Sequence, residues 1–309
     1  MKLNHVVESQ QFTVPMLMDI FKLADEMEPV MARGGTRDYS NKIVALLFYE
    51  HSTRTRFSFE SAVMRLGGKV LVTENANQFS SFMHGESLED TVRVVGNYSD
   101  IIVIRHNEMG GAAHAAKVSP VPVINAGDGK GGQHPTQALL DFYTIHREIK
   151  TIDGVKVAMV GNLAEGRTVR SLAYLLGKFE RVKLYFVAPT HLQMKGDIIE
   201  YLNHHKVWFT IEEDLRNVIN EVDVVYMTRL ESTEREGRTD SSFFIDRELL
   251  RFLPNRAIVM HPLPRQNEIS SEVDSDPRAA YFRQTRNGIL VRMALLVSIF
   301  DGCCWPRAD

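Results

Sequence analysis

The sequence predicts an α/β protein: two doubly wound parallel-sheet domains joined by interdomain helices, with an active site in the cleft between them. Three observations carry that expectation. Apolar runs of strand length alternate with segments of helical spacing along the whole chain, as βαβ units require. The runs are apolar at nearly every position, which suits strands covered on both faces. The length, 309 residues, suits two domains of ordinary size, each with its own core.

In the first half, strands are expected at 43–49, 69–73, 101–105 and 121–125, and helices near 15–27, 53–66, 87–98 and 135–149. Ile43-Val44-Ala45-Leu46-Leu47-Phe48-Tyr49 is a continuous apolar run, after which Phe59, Val63 and Leu66 fall on one helical stripe. Ser87 with Asp90 three residues on resembles a capping box and marks a helix start. A second series has strands at 155–160, 182–187, 207–211, 223–228 and 257–261, helices near 167–179 and 214–221, and a closing helix at 286–300. The expected domains are 1–133 with the C-terminal segment 287–309, and 134–286, the hinge running through the helix 135–149. The polar segments 75–86 and 231–242 read as solvated connections or as lids beside a site.

Composition narrows the function. Lys plus Arg number 36 and Asp plus Glu 39, a formal charge of −3, so no global basic field argues for nucleic acid. Hydrophobic content of 44% with 24% charged residues is that of a globular protein, and the apolar runs are too short to span a membrane. Met1-Lys2-Leu3-Asn4-His5 leads into polar residues without the apolar block of a signal peptide. The two cysteines, Cys303 and Cys304, are adjacent and offer no structural zinc site or disulfide framework, so a cytoplasmic location is expected.

Polar residues recur where strands end. Ser52-Thr53-Arg54-Thr55 joins the first strand to a helix start, whose free N–H groups and partial positive charge favour a phosphate that Arg54 can clamp. Taken alone this run, with Arg56 after it, reads equally well as an ordinary helix cap with two surface arginines. Yet Arg105 ends the third strand, and His134 and Gln137 follow the fourth through Gly127-Asp128-Gly129-Lys130-Gly131-Gly132. Arg167 follows 155–160, Arg229 follows 223–228, and His261-Pro262-Leu263-Pro264-Arg265 follows 257–260. Ligands of open parallel sheets bind outside the carboxyl ends of strands. Arginines at that edge of both halves point to a polyanionic ligand.

One motif competes. Gly161-Asn162-Leu163-Ala164-Glu165-Gly166-Arg167-Thr168 matches the nucleotide phosphate loop G-x-x-x-x-G-K-[ST] except for Arg167 in place of lysine. No strand ending in an aspartate for magnesium accompanies it.

Taken together, the motifs resemble those of the aspartate/ornithine carbamoyltransferase family. The resemblance rests on Phe48-Tyr49-Glu50-His51-Ser52-Thr53-Arg54-Thr55-Arg56, Gly85-Glu86-Ser87, Arg105-His106, Asn125-Ala126-Gly127-Asp128-Gly129, Gln133-His134-Pro135-Thr136-Gln137, Gly166-Arg167-Thr168, Met227-Thr228-Arg229 and His261-Pro262-Leu263-Pro264-Arg265. These span nearly the whole chain in family order. Pro262, where the ornithine branch typically has cysteine nearby, favours the aspartate branch.

The resemblance implies transfer of the carbamoyl group of carbamoyl phosphate to the amine of L-aspartate, giving N-carbamoyl-L-aspartate and phosphate, a step of pyrimidine biosynthesis. Ser52, Thr53, Arg54, Thr55 and Arg105 would hold the phosphate, while Thr55, Arg105 and His134 surround the carbonyl oxygen. Gln137 and the backbone carbonyls around Leu263 and Pro264 would receive the carbamoyl amine, and Arg167 and Arg229 the carboxylates of the amino acid. The nucleophile comes from the substrate and phosphate is a good leaving group, so neither metal nor cofactor is expected; orientation and oxyanion stabilisation suffice. His134, which by itself could be a plain loop histidine, lies one helical turn from Gln137, where the helix dipole favours a neutral imidazole. The family also implies a homotrimer with shared active sites, to which Ser80 and His84 would contribute across subunits, and regulatory subunits as further partners.

Two departures from the family pattern bear on the acceptor. His84 stands where a lysine is usual and Glu231 where a glutamine is usual; Glu165 replaces a common tyrosine. Lysine to neutral histidine plus glutamine to glutamate shifts local charge by about −2 near neutral pH. One charge at 4 Å is worth on the order of 4 kcal/mol at an effective dielectric of about 20. The sign opposes a second substrate carboxylate. Two alternatives follow: a carbamoyltransferase for a different amino acid or a diamino acid, and an impaired paralogue acting as a structural or regulatory subunit.

Overall fold

The computed structural model describes residues 4–74, 85–230 and 241–302. Two compact units emerge, Met1–Leu140 with Arg286–Asp309, and Asp141–Thr285, so the chain changes units within two helices.

The first unit holds a four-stranded parallel sheet in the order β2-β1-β3-β4, formed by β1 (Ile43–Phe48), β2 (Lys69–Glu74), β3 (Ile101–Arg105) and β4 (Val123–Asn125). Its helices are α1 (Val14–Ala32), α2 (Thr53–Arg65), α3 (Leu88–Gly96), α4 (Gly111–Val118) and the start of α5 (Pro135–Ile149). The end of α8 (Tyr281–Phe300) completes it. In α1, the Thr13 hydroxyl accepts from the Met16 N–H, and Leu17, Ile20, Phe21 and Ala24 bury one stripe. The Ser87 hydroxyl accepts from the Asp90 N–H at 3.1 Å and starts α3. β1 and β3 lie inside the sheet and are buried almost throughout, whereas β2 is an exposed edge. Ala45, Leu47, Ile102, Ile104, Val92, Ala112 and Val123 form one core of this unit.

The second unit holds a five-stranded parallel sheet, β7-β6-β5-β8-β9. The strands are β5 (Lys156–Val160), β6 (Lys183–Val187), β7 (Trp208–Glu212), β8 (Val224–Met227) and β9 (Ile258–Met260). Helices α6 (Arg167–Leu176) and α7 (Gly196–His204) join them. Val160, Val187, Val225, Met227, Val259 and Tyr281 share its core.

Several expectations need correction. The segment 214–221 is not a helix: only the 3-10 turn Leu215–Asn217 forms, capped by Asp214, and Leu215, Val218, Ile219 and Val222 reach the core from successive turns. Helix α4 is not expected from the sequence, because its Ala-rich run has no stripe of large apolar side chains. Its start is held from a distant loop, Asp128 accepting from the Gly110 and Ala112 N–H groups at 3.3 and 3.1 Å. Helix α7 was missed too; Lys195 at its N-cap gives no side-chain capping bond, and burial of Ile198 and Leu202 holds it instead. The closing helix starts at Tyr281 rather than 286, where the buried Tyr281 ring meets Arg265 and Asp274.

Candidate active site

In each sheet the chain runs out from one central strand in both directions. β1 leads to β2 on one side and β3 on the other; β5 leads to β6 on one side while β8 lies on the other. Crevices at such reversals are where doubly wound sheets bind ligands. Ser52, Thr53, Arg54, Thr55 and Arg105 lie at the first reversal and Arg167 and Arg229 at the second, while His134 and Gln137 follow β4 and Leu263 and Pro264 follow β9.

In the first unit, Tyr49 N–H donates to the Arg105 carbonyl at 2.9 Å, continuing the β1–β3 ladder beyond Phe48 paired with Arg105. This brings Ser52-Thr53-Arg54-Thr55 and Arg105 to one sheet edge. Ser52 is the N-cap of α2, and its hydroxyl makes no capping hydrogen bond; Thr53 and Arg54 are exposed and Thr55 is buried. Arg105 is only 7% exposed: Nη1 donates to the Ala126 carbonyl at 3.1 Å and Nη2 lies 2.7 Å from Glu50 Oε2.

Gly127 explains how Arg105 and His134 come together. Its φ of 118° is a left-handed conformation suited to glycine. A Cβ there would lie 2.5 Å from Arg105 Nη1 and 3.2 Å from His134 Cδ2, so both side chains rest against this bare backbone. The Asn125 carboxamide oxygen accepts from the Gly127 N–H at 2.8 Å and holds the turn. His134, 4% exposed, directly precedes α5; its carbonyl accepts from the Gln137 and Ala138 N–H groups, and its Nδ1 lies 3.4 Å from the Thr136 hydroxyl. Gln137 is half-buried in the first turn. Beneath, burial holds the His106 imidazole below its ordinary value, against the upward pull of Glu108 and Asp128. Burial pushes the Asp128 carboxyl up, opposed by its backbone bonds to α4.

In the second unit, Arg167 opens α6 after β5, and Arg229 follows the adjacent β8. The Asn162 N–H donates to the Arg229 carbonyl at 3.1 Å, joining the two loops. Leu263 and Pro264 follow β9, linked by a cis peptide bond with Leu263 at φ 56°. His261 is 2% exposed; its Nδ1 accepts from the Leu263 N–H at 2.7 Å and its Nε2 pairs with Glu268 at 2.8 Å. Burial works to raise the Glu268 carboxyl, but the hydrogen bonds from His261 and the backbone keep it below the ordinary glutamate value.

The nucleotide-loop alternative fails on geometry. In residues 161–165 the N–H groups of Gly161, Asn162, Leu163, Ala164 and Glu165 go to Val187, Arg229, Leu192, Leu192 and the Asn162 side chain. A phosphate cradle needs those donors turned toward the ligand.

Ser80, His84 and Glu231 lie outside the described residues, as do Cys303 and Cys304. The sequence reading gave no role to Glu50, Gly127, Asp141, Tyr226, Gln284 or Glu268. Asp141 carried a signal, a carboxylate amid Leu139, Leu140, Phe142 and Tyr143 on an apolar helix. Among the described residues no cluster of His, Cys, Asp and Glu could hold a metal ion, and no helix is long and apolar enough to cross a membrane.

Comparison with known proteins defines the class. Residues 4–147 match the family model for the aspartate/ornithine carbamoyltransferase carbamoyl-P binding domain, and residues 153–299 that for the Asp/Orn binding domain. The chain belongs to the aspartate/ornithine carbamoyltransferase family. It is 51% identical over 314 residues to the chloroplastic aspartate carbamoyltransferase of Oryza sativa subsp. japonica, covering 98% of this chain and 86% of that one. It is 44% identical over 305 residues to the aspartate carbamoyltransferase catalytic subunit of Methanocaldococcus jannaschii, covering 97% and 98%. The crystal structure of Trypanosoma cruzi aspartate transcarbamoylase in complex with carbamoyl aspartate and phosphate superposes with a TM-score of 0.90 at 39% identity, over 96% of each chain.

Proposed function

We propose that this chain is an aspartate carbamoyltransferase. The observation that carries the reading is the pairing of Arg105 and His134 against Gly127, on the sheet edge that also bears the α2 N-terminus. That edge offers cationic and neutral donors to a phosphate and to an adjacent carbonyl oxygen. Arg54, Arg105, Ser52, Thr53 and the α2 N–H groups grip the phosphate. Thr55, Arg105 and His134 donate to the carbonyl oxygen as it gains negative charge, and Gln137 with the Leu263 and Pro264 carbonyls orients the carbamoyl NH2. Arg167 and Arg229 bind the aspartate carboxylates as forked donors.

The neutral aspartate amine forms the new C–N bond; the C–O bond to phosphate breaks, its electron pair leaving with the phosphate, and the proton shed by the amine passes to that phosphate. Holding both reactants in line supplies much of the acceleration. The product, a carbamoylated amino acid, places the reaction in pyrimidine biosynthesis in our reading, in the cytoplasm.

A homotrimer completed across subunits by the 75–86 segment is part of the same proposal. β2, the edge strand that runs into that segment, exposes Leu71 at 45% and Val72 at 39%, and Phe57 on α2 is 53% exposed. Such an edge calls for a covering partner. Light scattering tests the mass.

The deciding experiment is phosphate release from carbamoyl phosphate across a panel of amino acids, with carbamoylaspartate identified as product. Aspartate giving the highest kcat/KM supports the proposal; a diamino acid in first place transfers it to another acceptor, and no turnover with any acceptor rejects it. Running the panel again with His84→Lys plus Glu231→Gln asks whether these departures set acceptor preference.

A further inference from the structure

A buried polar chain runs under the His261–Pro264 turn. Asp141, fully buried on α5, accepts from the Tyr226 hydroxyl of β8 at 2.5 Å through one oxygen and from the Gln284 amide of α8 at 2.6 Å through the other. Gln284, 1% exposed, presents its own oxygen to the His261 N–H at 3.0 Å. The amide has one productive orientation: the His261 N–H can only donate, so Gln284 Oε1 must face it, which turns Nε2 to Asp141. His261 passes the order on: Nδ1 accepts from the Leu263 N–H, so the proton sits on Nε2 and is donated to Glu268, whose other oxygen accepts from the Gln266 N–H at 3.1 Å.

These bonds fix the peptide planes that carry the N–H groups of 261, 263 and 266, and so bracket the Leu263 and Pro264 carbonyls between planes held on either side. Leu263 is held in the left-handed region, which a leucine does not adopt without support.

We propose that Asp141 and Gln284 are positioning residues: anchored by Tyr226, they aim the Leu263 and Pro264 carbonyls at the carbamoyl NH2 and so make the site select a carbamoyl over an acetyl group. This rests on the function proposed above. Acetyl phosphate keeps the phosphate and the carbonyl but replaces the NH2 donor with a methyl group, so only well-aimed acceptors separate the two donors.

The test uses the full chain, with dissociation constants for carbamoyl phosphate, acetyl phosphate and inorganic phosphate measured by calorimetry, and kcat with aspartate. Gln284→Met keeps the side-chain volume and removes both hydrogen bonds. Expected are a loss of carbamoyl-over-acetyl selectivity of about tenfold, the scale of one or two neutral hydrogen bonds, a lower kcat, and a phosphate affinity within about twofold of wild type. Tyr226→Phe, which loses a single hydroxyl, should move the selectivity the same way by less.

Equal loss of affinity for all three ligands would mean a merely structural role and overturns the proposal, as does unchanged selectivity with unchanged kcat. Should Gln284→Met fail to fold, Tyr226→Phe decides by the same two criteria. A wild-type protein that turns over carbamoyl phosphate with none of the acceptors rejects the function itself; one that turns it over but binds both acyl phosphates equally overturns the positioning role alone, so the two failures are distinguishable.

Discussion

Arg105 and Glu50 form an ion pair at 2.7 Å, with Arg105 buried and the Glu50 side chain 42% exposed. The carboxylate occupies a guanidinium face that the proposed site assigns to phosphate. If Arg105 grips phosphate as proposed above, Glu50 and the phosphate would be rivals for one guanidinium. Solvent screening limits the pair to about 0.5–1 kcal/mol. Glu50→Gln should accordingly tighten inorganic phosphate binding by a few fold, measured by calorimetry at two salt concentrations. Weaker binding in that variant would show that the pair organises Arg105 instead of blocking it.

In the proposed reaction Arg105 and His134 donate to the developing oxyanion, and Arg105→Ala and His134→Ala each remove one donor. Each should lower kcat by about 3–4 kcal/mol in barrier, or about two to three powers of ten. The two differ in binding: Arg105→Ala should also weaken phosphate, whereas His134→Ala should leave it nearly intact. Steady-state kinetics with phosphate as inhibitor separates these effects.

Gly127→Ala should disturb both residues together. The new methyl would sit 2.5 Å from Arg105 Nη1, and the φ of 118° strains any side chain. A stability loss of about 1–3 kcal/mol is expected with a fall in kcat larger than either distance change would suggest. Chemical denaturation and turnover measured on the same preparation check it.

His106 makes stability depend on pH. Its folded value is depressed, chiefly by burial, so between that value and the ordinary histidine value of about 6.5 the unfolded chain binds more protons. Its contribution is fully present above about pH 6.5 and is lost as pH falls through the folded value. Asp128, raised by burial, has the opposite sign in the carboxylate range. The melting temperature of the wild type should drop between pH 7 and pH 5, values chosen about the histidine range, and His106→Gln should flatten that slope whatever its effect on the absolute Tm.

Strand positions, and the polar residues that follow them, are legible in the amino-acid order alone. Continuous apolar runs such as 43–49 can be buried only between two layers, and the residues that end such runs must emerge at the sheet edge. That is why Arg54, Arg105, His134, Arg167 and Arg229 stand out in the sequence as residues that follow strands. Tertiary structure decided what local pattern does not encode. Helix α4 depends on a carboxylate from a loop distant in sequence, and residues 214–221 trade helical hydrogen bonds for core contacts made by a turn. The Asp141–Gln284–His261 chain was illegible for the same reason: its members are far apart along the chain, and each looks ordinary until burial removes water and obliges every polar atom to find a partner.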